Sequence, residues 1–223
     1  AGDVKTEFKA LIKKVGLTKI FPKAVRDELS EMESTGEFEI SKVEYKKRID
    51  LRDKIIFTID PVTAKDHDDA VSVDVLDSGN YLLAVHIADV SHYVNENSAL
   101  DTEALTRGTS VYLMNDVVPM LPEKLSNDIC SLKQGVDRLA FSVFIEISRS
   151  GEIVKFDLKK SVINSKKKFS YEEVQKILDD QKGQFLDTLN IMNELHRLLY
   201  KKRLEEGSLD FESTEVKAEI EDG

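Results

Sequence analysis

Between Ile55 and Val90 the chain passes through β-favouring runs and sharp breaks in close succession, which commits this region to a sheet. Ile55-Ile56-Phe57-Thr58-Ile59 is a nearly continuous apolar run, the pattern of a strand buried on both faces, and it stops at Asp60-Pro61. Residues 70–77 then alternate, with Val71, Val73 and Val75 on one face. Asp77-Ser78-Gly79-Asn80 supplies a turn, and residues 81–90 form the return strand of a hairpin. A second hairpin is predicted from residues 140–148 and 153–158 across Ser150-Gly151, with Phe141, Val143, Ile145 and Ile147 marking its buried face.

Helical spacing governs both ends of the chain. Phe8, Leu11, Ile12 and Val15 follow an i, i+3, i+4, i+7 pattern over residues 4–15, and Pro22 opens a short helix over residues 23–32. Residues 33–41 are polar and read as linker. Ser170 and Glu173 form a capping box for a helix over residues 171–179. Phe185, Leu189, Met192, Leu195 and Leu199 define a long amphipathic helix that ends at Gly207. Residues 211–217 look like the start of a further strand, as in a fragment cut inside a larger domain. Sheet first and helices later predicts an α+β fold, a mixed and mainly antiparallel sheet or partial barrel with packed helices.

Charge is unevenly placed. The first 50 residues carry 11 basic and 10 acidic side chains, the remainder 21 and 32, and the whole chain has a net charge of −10. A boundary near residue 50 follows, with a helical linker segment over 1–50 and the main domain over 51–223. The acidity argues against coating nucleic acid or an anionic membrane by bulk charge, although a local basic track remains compatible with it. The hydrophobic fraction of 41% supports a sizeable core. Cys130 stands alone, so neither an intrachain disulfide nor a cysteine-built zinc site forms, and a reducing compartment is expected. No apolar run approaches the roughly 20 residues of a membrane span.

The densest chemistry lies just past the buried strand. Asp60, Asp66, Asp68 and Asp69 place four carboxylates within ten residues, where a rigid strand end meets solvent. Two carboxylates ~5 Å apart repel by about 3 kcal/mol at an effective dielectric of ~20. A cluster of four therefore calls for protonation, arginine partners or a metal. All-oxygen ligands suit a hard cation, Mg²⁺ or Mn²⁺, and such a site performs phosphodiester hydrolysis or phosphoryl transfer. Calcium buffering of the EF-hand type fails, because a loop starting at Asp66 has Val71 and Asp77 where Gly and Glu are required. Neither a P-loop nor a Gly-x-Ser-x-Gly elbow is present. The bland alternative is an acidic surface loop.

Thr58-Ile59-Asp60 followed by Ala64-Lys65-Asp66-His67-Asp68-Asp69-Ala70 resembles the signature of the ribonuclease II / ribonuclease R family catalytic (RNB) domain. The resemblance runs on, in order, through Val85–Ser91, Arg107–Tyr112, Pro119–Pro122, Leu125–Leu132 and Gly207–Ser213, and the ribonuclease R branch fits best. It implies a Mg²⁺-dependent hydrolytic exoribonuclease that digests single-stranded RNA from the 3′ end and releases nucleoside 5′-monophosphates in the cytoplasm. It further implies that Asp60, Asp66, Asp68 and Asp69 are the acidic site residues, Asp60 and Asp69 nearest the metal. Asp68 becomes the carboxylate whose loss stops cleavage while sparing RNA binding. Tyr112 and Phe211 match aromatics that sandwich the terminal bases, and Tyr171 matches a further pocket tyrosine. The same likeness implies flanking cold-shock-type and S1-type RNA-binding domains. It also implies a glutamate and an arginine lying beyond Gly223, without which this chain alone has little activity.

Apart from that likeness, Tyr112 and Phe211 read as core aromatics. His86 and His196 read as structural, His67 as facing solvent, and Cys130 as a buried small hydrophobe. Lys159, Lys160, Lys166, Lys167 and Lys168 read as a solvated face, and Arg107 as a partner for a site carboxylate or a phosphate. Two other functions compete with the nuclease: a catalytically silent relative that keeps its aspartates for metal or RNA docking, and a metal-dependent phosphatase acting on small molecules.

Overall fold

A computed structural model of the chain describes residue 10, residues 12–113 and residues 116–209. Their contacts divide into two units, one built from the described residues up to 39 with 90–126, the other from 40–89 with 127–209.

In the first unit, α1 (Lys23–Thr35) follows Pro22 and closes on Gly36, whose φ of 76° gives the left-handed cap that glycine adopts without strain. The helix runs three residues past Met32, into what the sequence offers as linker. Val25 and Met32 are its buried residues. The expected helix over residues 4–15 falls largely outside the described residues; residues 12–14 are helical.

The second unit opens with α2 (Lys42–Lys47), capped by the Ser41 hydroxyl, which accepts from the Glu44 amide. The strands β1 (Ile49–Asp50), β2 (Phe57–Asp60), β3 (Asp69–Val75) and β4 (Tyr81–Ala88) follow. The hairpin joining β3 to β4 is the one the alternation predicts: Gly79 takes φ 83° and its amide donates to the Leu76 carbonyl at 2.8 Å. Back in the first unit, α3 (Ala99–Arg107) is capped by Ser98, and Glu28 on α1 accepts from the Leu100 amide at 2.9 Å. The short pair β5 (Val111–Leu113) and β6 (Asp116–Val118) lies in the same unit.

The chain then returns to the second unit through β7 (Asp137–Ile147), β8 (Ile153–Asn164), β9 (Lys167–Ser170), α4 (Tyr171–Asp180) and α5 (Leu186–Glu205). Its seven strands form one open sheet in the order β1-β8-β7-β4-β3-β2-β9, antiparallel except for β1 on β8 and β9 on β2. This is the α+β arrangement of mixed sheet and packed helices expected from the sequence, with no closed barrel among the described residues.

One face of the sheet carries the apolar core. Phe57 and Phe169 meet edge-on with ring centroids 5.2 Å apart, and Ile177 on α4 and Leu189 on α5 close over them. Val73, Tyr81 and Ile147 pack under Leu195, so the helix stripe at 189, 192, 195 and 199 lies where its periodicity places it. The α4–α5 connection requires Gly183, because a Cβ there would stand 2.6 Å from Ile177 Cγ1. Ser170 caps α4 by accepting from the Glu173 amide at 3.1 Å, while the Glu173 carboxylate pairs with Lys167 at 3.0 Å.

The opposite face has a buried polar centre. His86 Nδ1 lies 2.7 Å from Ser142 Oγ and His86 Nε2 lies 3.1 Å from Ser72 Oγ, while Ser142 and Ser161 hydroxyls are 2.6 Å apart. Arg48 and Asp89, both buried, form an ion pair at 2.7 Å, and Glu44 holds Arg48 Nε at 2.7 Å. This layer corrects the expected burial along β7. Phe141 is exposed, and Ala140 and Ser142 are buried in its place. The interior side of the strand at that end is hydroxyl-bearing, so apolar alternation marks the wrong parity.

Candidate active site

Asp60 ends β2, Asp69 begins β3, and residues 61–68 join them. The loop's backbone is fixed along its length. The Ala64 amide donates to the Pro61 carbonyl at 2.9 Å, closing a turn directly after the strand. The Ala64 carbonyl accepts from Lys168 Nζ on β9 at 2.7 Å. The buried Ser131 hydroxyl donates to the Lys65 carbonyl at 2.8 Å and accepts from the His67 amide at 3.1 Å. The His67 carbonyl accepts from the Leu132 amide, and the Asp68 carbonyl from the Ala88 amide, each at 2.9 Å.

His67 does not face solvent as the sequence suggests. It is 4% exposed, and its Nδ1 donates to Asp60 Oδ2 at 2.8 Å. A carboxylate can only accept, so this contact fixes the imidazole tautomer and the rotation of the Asp60 carboxylate.

The aspartates form one electrostatic cluster. Burial, then the negative charges of Asp66, Asp69 and Asp60, hold the Asp68 carboxyl above its ordinary range. Burial and the charge of Asp60 do the same to Asp69. Among the described residues, no group of three His, Cys, Asp or Glu side chains stands in ready-made metal-ligand geometry. The donor set itself, four carboxylates, fits a hard divalent cation because it is all oxygen.

The remaining candidates lie on different elements. Tyr112 is on β5, in the first unit, and is 63% exposed, so it is not a core aromatic. Tyr171 opens α4 and is 56% exposed. Phe211 lies outside the described residues. Arg107 is engaged within its own unit, donating to Glu103 at 2.9 Å and to the Thr18, Ile20 and Pro119 carbonyls, with its guanidinium 3.9 Å from the Phe21 ring centroid. His86 is buried and structural, and Cys130 is buried with its thiol pushed up to about 12 by burial.

The lysine stretch is more than a solvated face. Lys167 pairs with Glu173, Lys160 stands 3.5 Å from Asp89, Lys166 donates to the Arg52 carbonyl, and Lys168 holds the aspartate loop. Sequence reasoning missed Ser131, Lys168 and His67 as supports of that loop. Ser131 sits inside the Leu125–Leu132 motif, where a small polar residue among apolar neighbours is the available signal.

A mixed open sheet with an acidic loop at a strand end defines a class, and residues 48–223 match the family model described as RNB domain. The chain belongs to the RNB domain family. It is 54% identical over 181 residues to ribonuclease R of Thermotoga maritima, covering 78% of this chain and 26% of that protein. It is 42% identical over 205 residues to the exosome complex exonuclease dis3 of Schizosaccharomyces pombe, covering 90% of this chain and 21% of that one. The chain thus spans about a quarter of the length of such relatives. The structure of Mycoplasma genitalium RNase R in complex with ribose-methylated single-stranded RNA superposes with a TM-score of 0.87 at 31% identity, covering 97% of this chain and 34% of that one. Yeast Ssd1, a pseudonuclease, shares the fold alone, with a TM-score of 0.65 at 22% identity over 75% of this chain and 21% of that one.

Proposed function

We propose that this chain is the aspartate-bearing part of a hydrolytic 3′-to-5′ exoribonuclease that degrades single-stranded RNA to nucleoside 5′-monophosphates. The observation that carries the reading is the gathering of the Asp60, Asp66, Asp68 and Asp69 carboxylates on one strand-end loop, where the charges of Asp66, Asp69 and Asp60 help hold the Asp68 carboxyl above its ordinary range, set on the fold of an RNase R solved with single-stranded RNA.

Asp60, Asp66 and Asp69 would hold Mg²⁺ or Mn²⁺, with Asp68 beside them. When bound, such an ion polarises a phosphoryl oxygen and acidifies a coordinated water. Asp68 orients the attacking water and takes up its proton, a role that suits a carboxyl held above its ordinary range. His67 orients Asp60 through its Nδ1 contact. Tyr112, Phe211 and Tyr171 stack bases, which is sequence-tolerant because every base has a π-face, at ~1–3 kcal/mol per base. Arg107 shapes its own unit through the contacts already given. In this reading flanking cold-shock-type and S1-type domains deliver the strand, which accounts for RNA binding by so acidic a chain, and the enzyme works in the cytoplasm. No described helix is long and apolar enough to cross a membrane.

A catalytically silent relative is the second reading. The Ssd1 likeness shows that the fold does not decide between them, and the complete set of four aspartates favours the enzyme.

The test incubates 5′-labelled single-stranded RNA with the full-length protein in Mg²⁺ or EDTA, comparing wild type with Asp68→Asn. A metal-dependent ladder shortening from the 3′ end, absent in the variant, is expected. An intact RNA with turnover of a generic phosphate ester would indicate a phosphatase, and no turnover of either a silent relative.

A further inference from the structure

We propose that Ser131 is a positioning residue for the aspartate loop, because its one hydroxyl bridges the backbone on both sides of Asp66. The inference rests on the nuclease reading and assigns Ser131 a part in it.

The geometry is specific. Ser131 Oγ donates to the Lys65 carbonyl at 2.8 Å and accepts from the His67 amide at 3.1 Å. These two groups flank Asp66, so the hydroxyl fixes the turn from which the Asp66 side chain leaves. Ser131 has no exposed surface. Water therefore cannot replace the hydroxyl without a rearrangement. The hydroxyl is itself held in place. The Ser131 carbonyl accepts from Arg138 Nε at 2.9 Å, Arg138 Nη2 donates to the Asp128 carbonyl at 2.9 Å, and the Leu132 amide donates to the His67 carbonyl. Asp66 and His67 are thus tied to a second chain segment 64 residues further on, and His67 passes the constraint to Asp60 through its imidazole.

Sites that stabilise charge depend on such outer support, and a displacement of about 1 Å costs on the order of 100-fold in rate. Ser131 touches no reacting atom. It acts through Asp66 and His67, and its loss falls on turnover rather than on RNA capture.

The test uses the full-length protein as wild type, Ser131→Ala, Ser131→Cys and Asp68→Asn, with RNA decay kinetics and hydrogen exchange at the His67 amide. Ser131→Ala should lower kcat by roughly 10- to 100-fold with KM for RNA within about twofold, and speed His67 exchange. Ser131→Cys, which has a somewhat larger side chain but keeps a weak hydrogen-bonding group, should fall between Ser131→Ala and wild type. A kcat for Ser131→Ala within twofold of wild type, or a loss confined to KM, would overturn the proposal. If Ser131→Ala does not fold, Ser131→Cys carries the same test: wild-type kcat and exchange in it would overturn the proposal. A wild type that leaves RNA intact would instead remove the nuclease reading, while fast His67 exchange in Ser131→Ala would still show the bridge.

Discussion

His67 Nδ1 donates to Asp60 Oδ2 at 2.8 Å, and both side chains are shielded from solvent at the point where β2 gives way to the acidic loop. The contact fixes the orientation of the Asp60 carboxylate and ties the first aspartate of the cluster to the far end of the loop. His67→Ala should raise the Mg²⁺ concentration needed for half-maximal RNA decay by about 10- to 100-fold, the usual cost of losing a group that orients a ligand. His67→Asn, which retains a donor, should lose less. A Mg²⁺ titration of initial rates reads the effect directly.

Asp68 predicts a conflict between stability and activity. Its carboxyl is held above the ordinary range by burial and by Asp66, Asp69 and Asp60, so the folded chain binds this proton more tightly than the unfolded chain does. The ionised form at neutral pH therefore opposes folding, and stability is gained as pH falls through the folded-state pKa. Asp68→Asn removes the charge permanently. Thermal unfolding in EDTA at pH 7 should give a higher Tm for Asp68→Asn than for wild type, alongside loss of RNA cleavage. The difference should shrink as the pH is lowered.

His86 contributes to the loss of stability of the fold in acid. Burial between Ser72 and Ser142 pushes its imidazole down to about 4. Below pH 6.5 the unfolded chain takes up a proton that folded His86 refuses, so stability falls as pH drops from 6.5 to 4, by about 3 kcal/mol in total. Urea unfolding at pH 7 and pH 4.5 checks the slope. His86→Gln should be less stable at pH 7, because its fit between the two hydroxyls is imperfect, but should show a flatter decline between these pH values.

The first half of β8 predicts solution behaviour. Ile153, Val154, Phe156 and Leu158 are exposed, with Phe156 at 68%, and β1 pairs only with Ser161 and Val162. Among the described residues this leaves a strand edge of residues 153–160 without a partner. Exposed apolar edges template association. The 223-residue chain should self-associate at micromolar concentration by light scattering, and Val154→Lys with Phe156→Lys should raise its monomer fraction.

Much of this was legible from local pattern. The Asp77–Asn80 turn, the strands on either side, the Ser170 cap and the 189–199 stripe are all set by neighbours in sequence, and they appear where the pattern puts them. The acidic loop was legible as a cluster for the same reason. What supports it was not, because Ser131 and Lys168 reach it from 64 to 104 residues away and each looks unremarkable in its own segment. His67 seemed solvent-facing because its neighbours are charged, yet the Asp60 contact and the Ser131 bridge draw it inward. Phe141 misled because the sheet's second face is lined with hydroxyls and a histidine, so hydrophobicity ceases to report burial there.

In the proposed nuclease, Asp60, Asp66, Asp68 and Asp69 act on one divalent cation. Mn²⁺ titration of the full-length protein, followed by electron paramagnetic resonance of the free ion, tests it without any turnover. A shared ion predicts saturable binding that weakens by at least tenfold in Asp60→Asn and in Asp69→Asn, with competition by Mg²⁺. Mn²⁺ binding that is absent from the wild type, or unchanged in both variants, would contradict it.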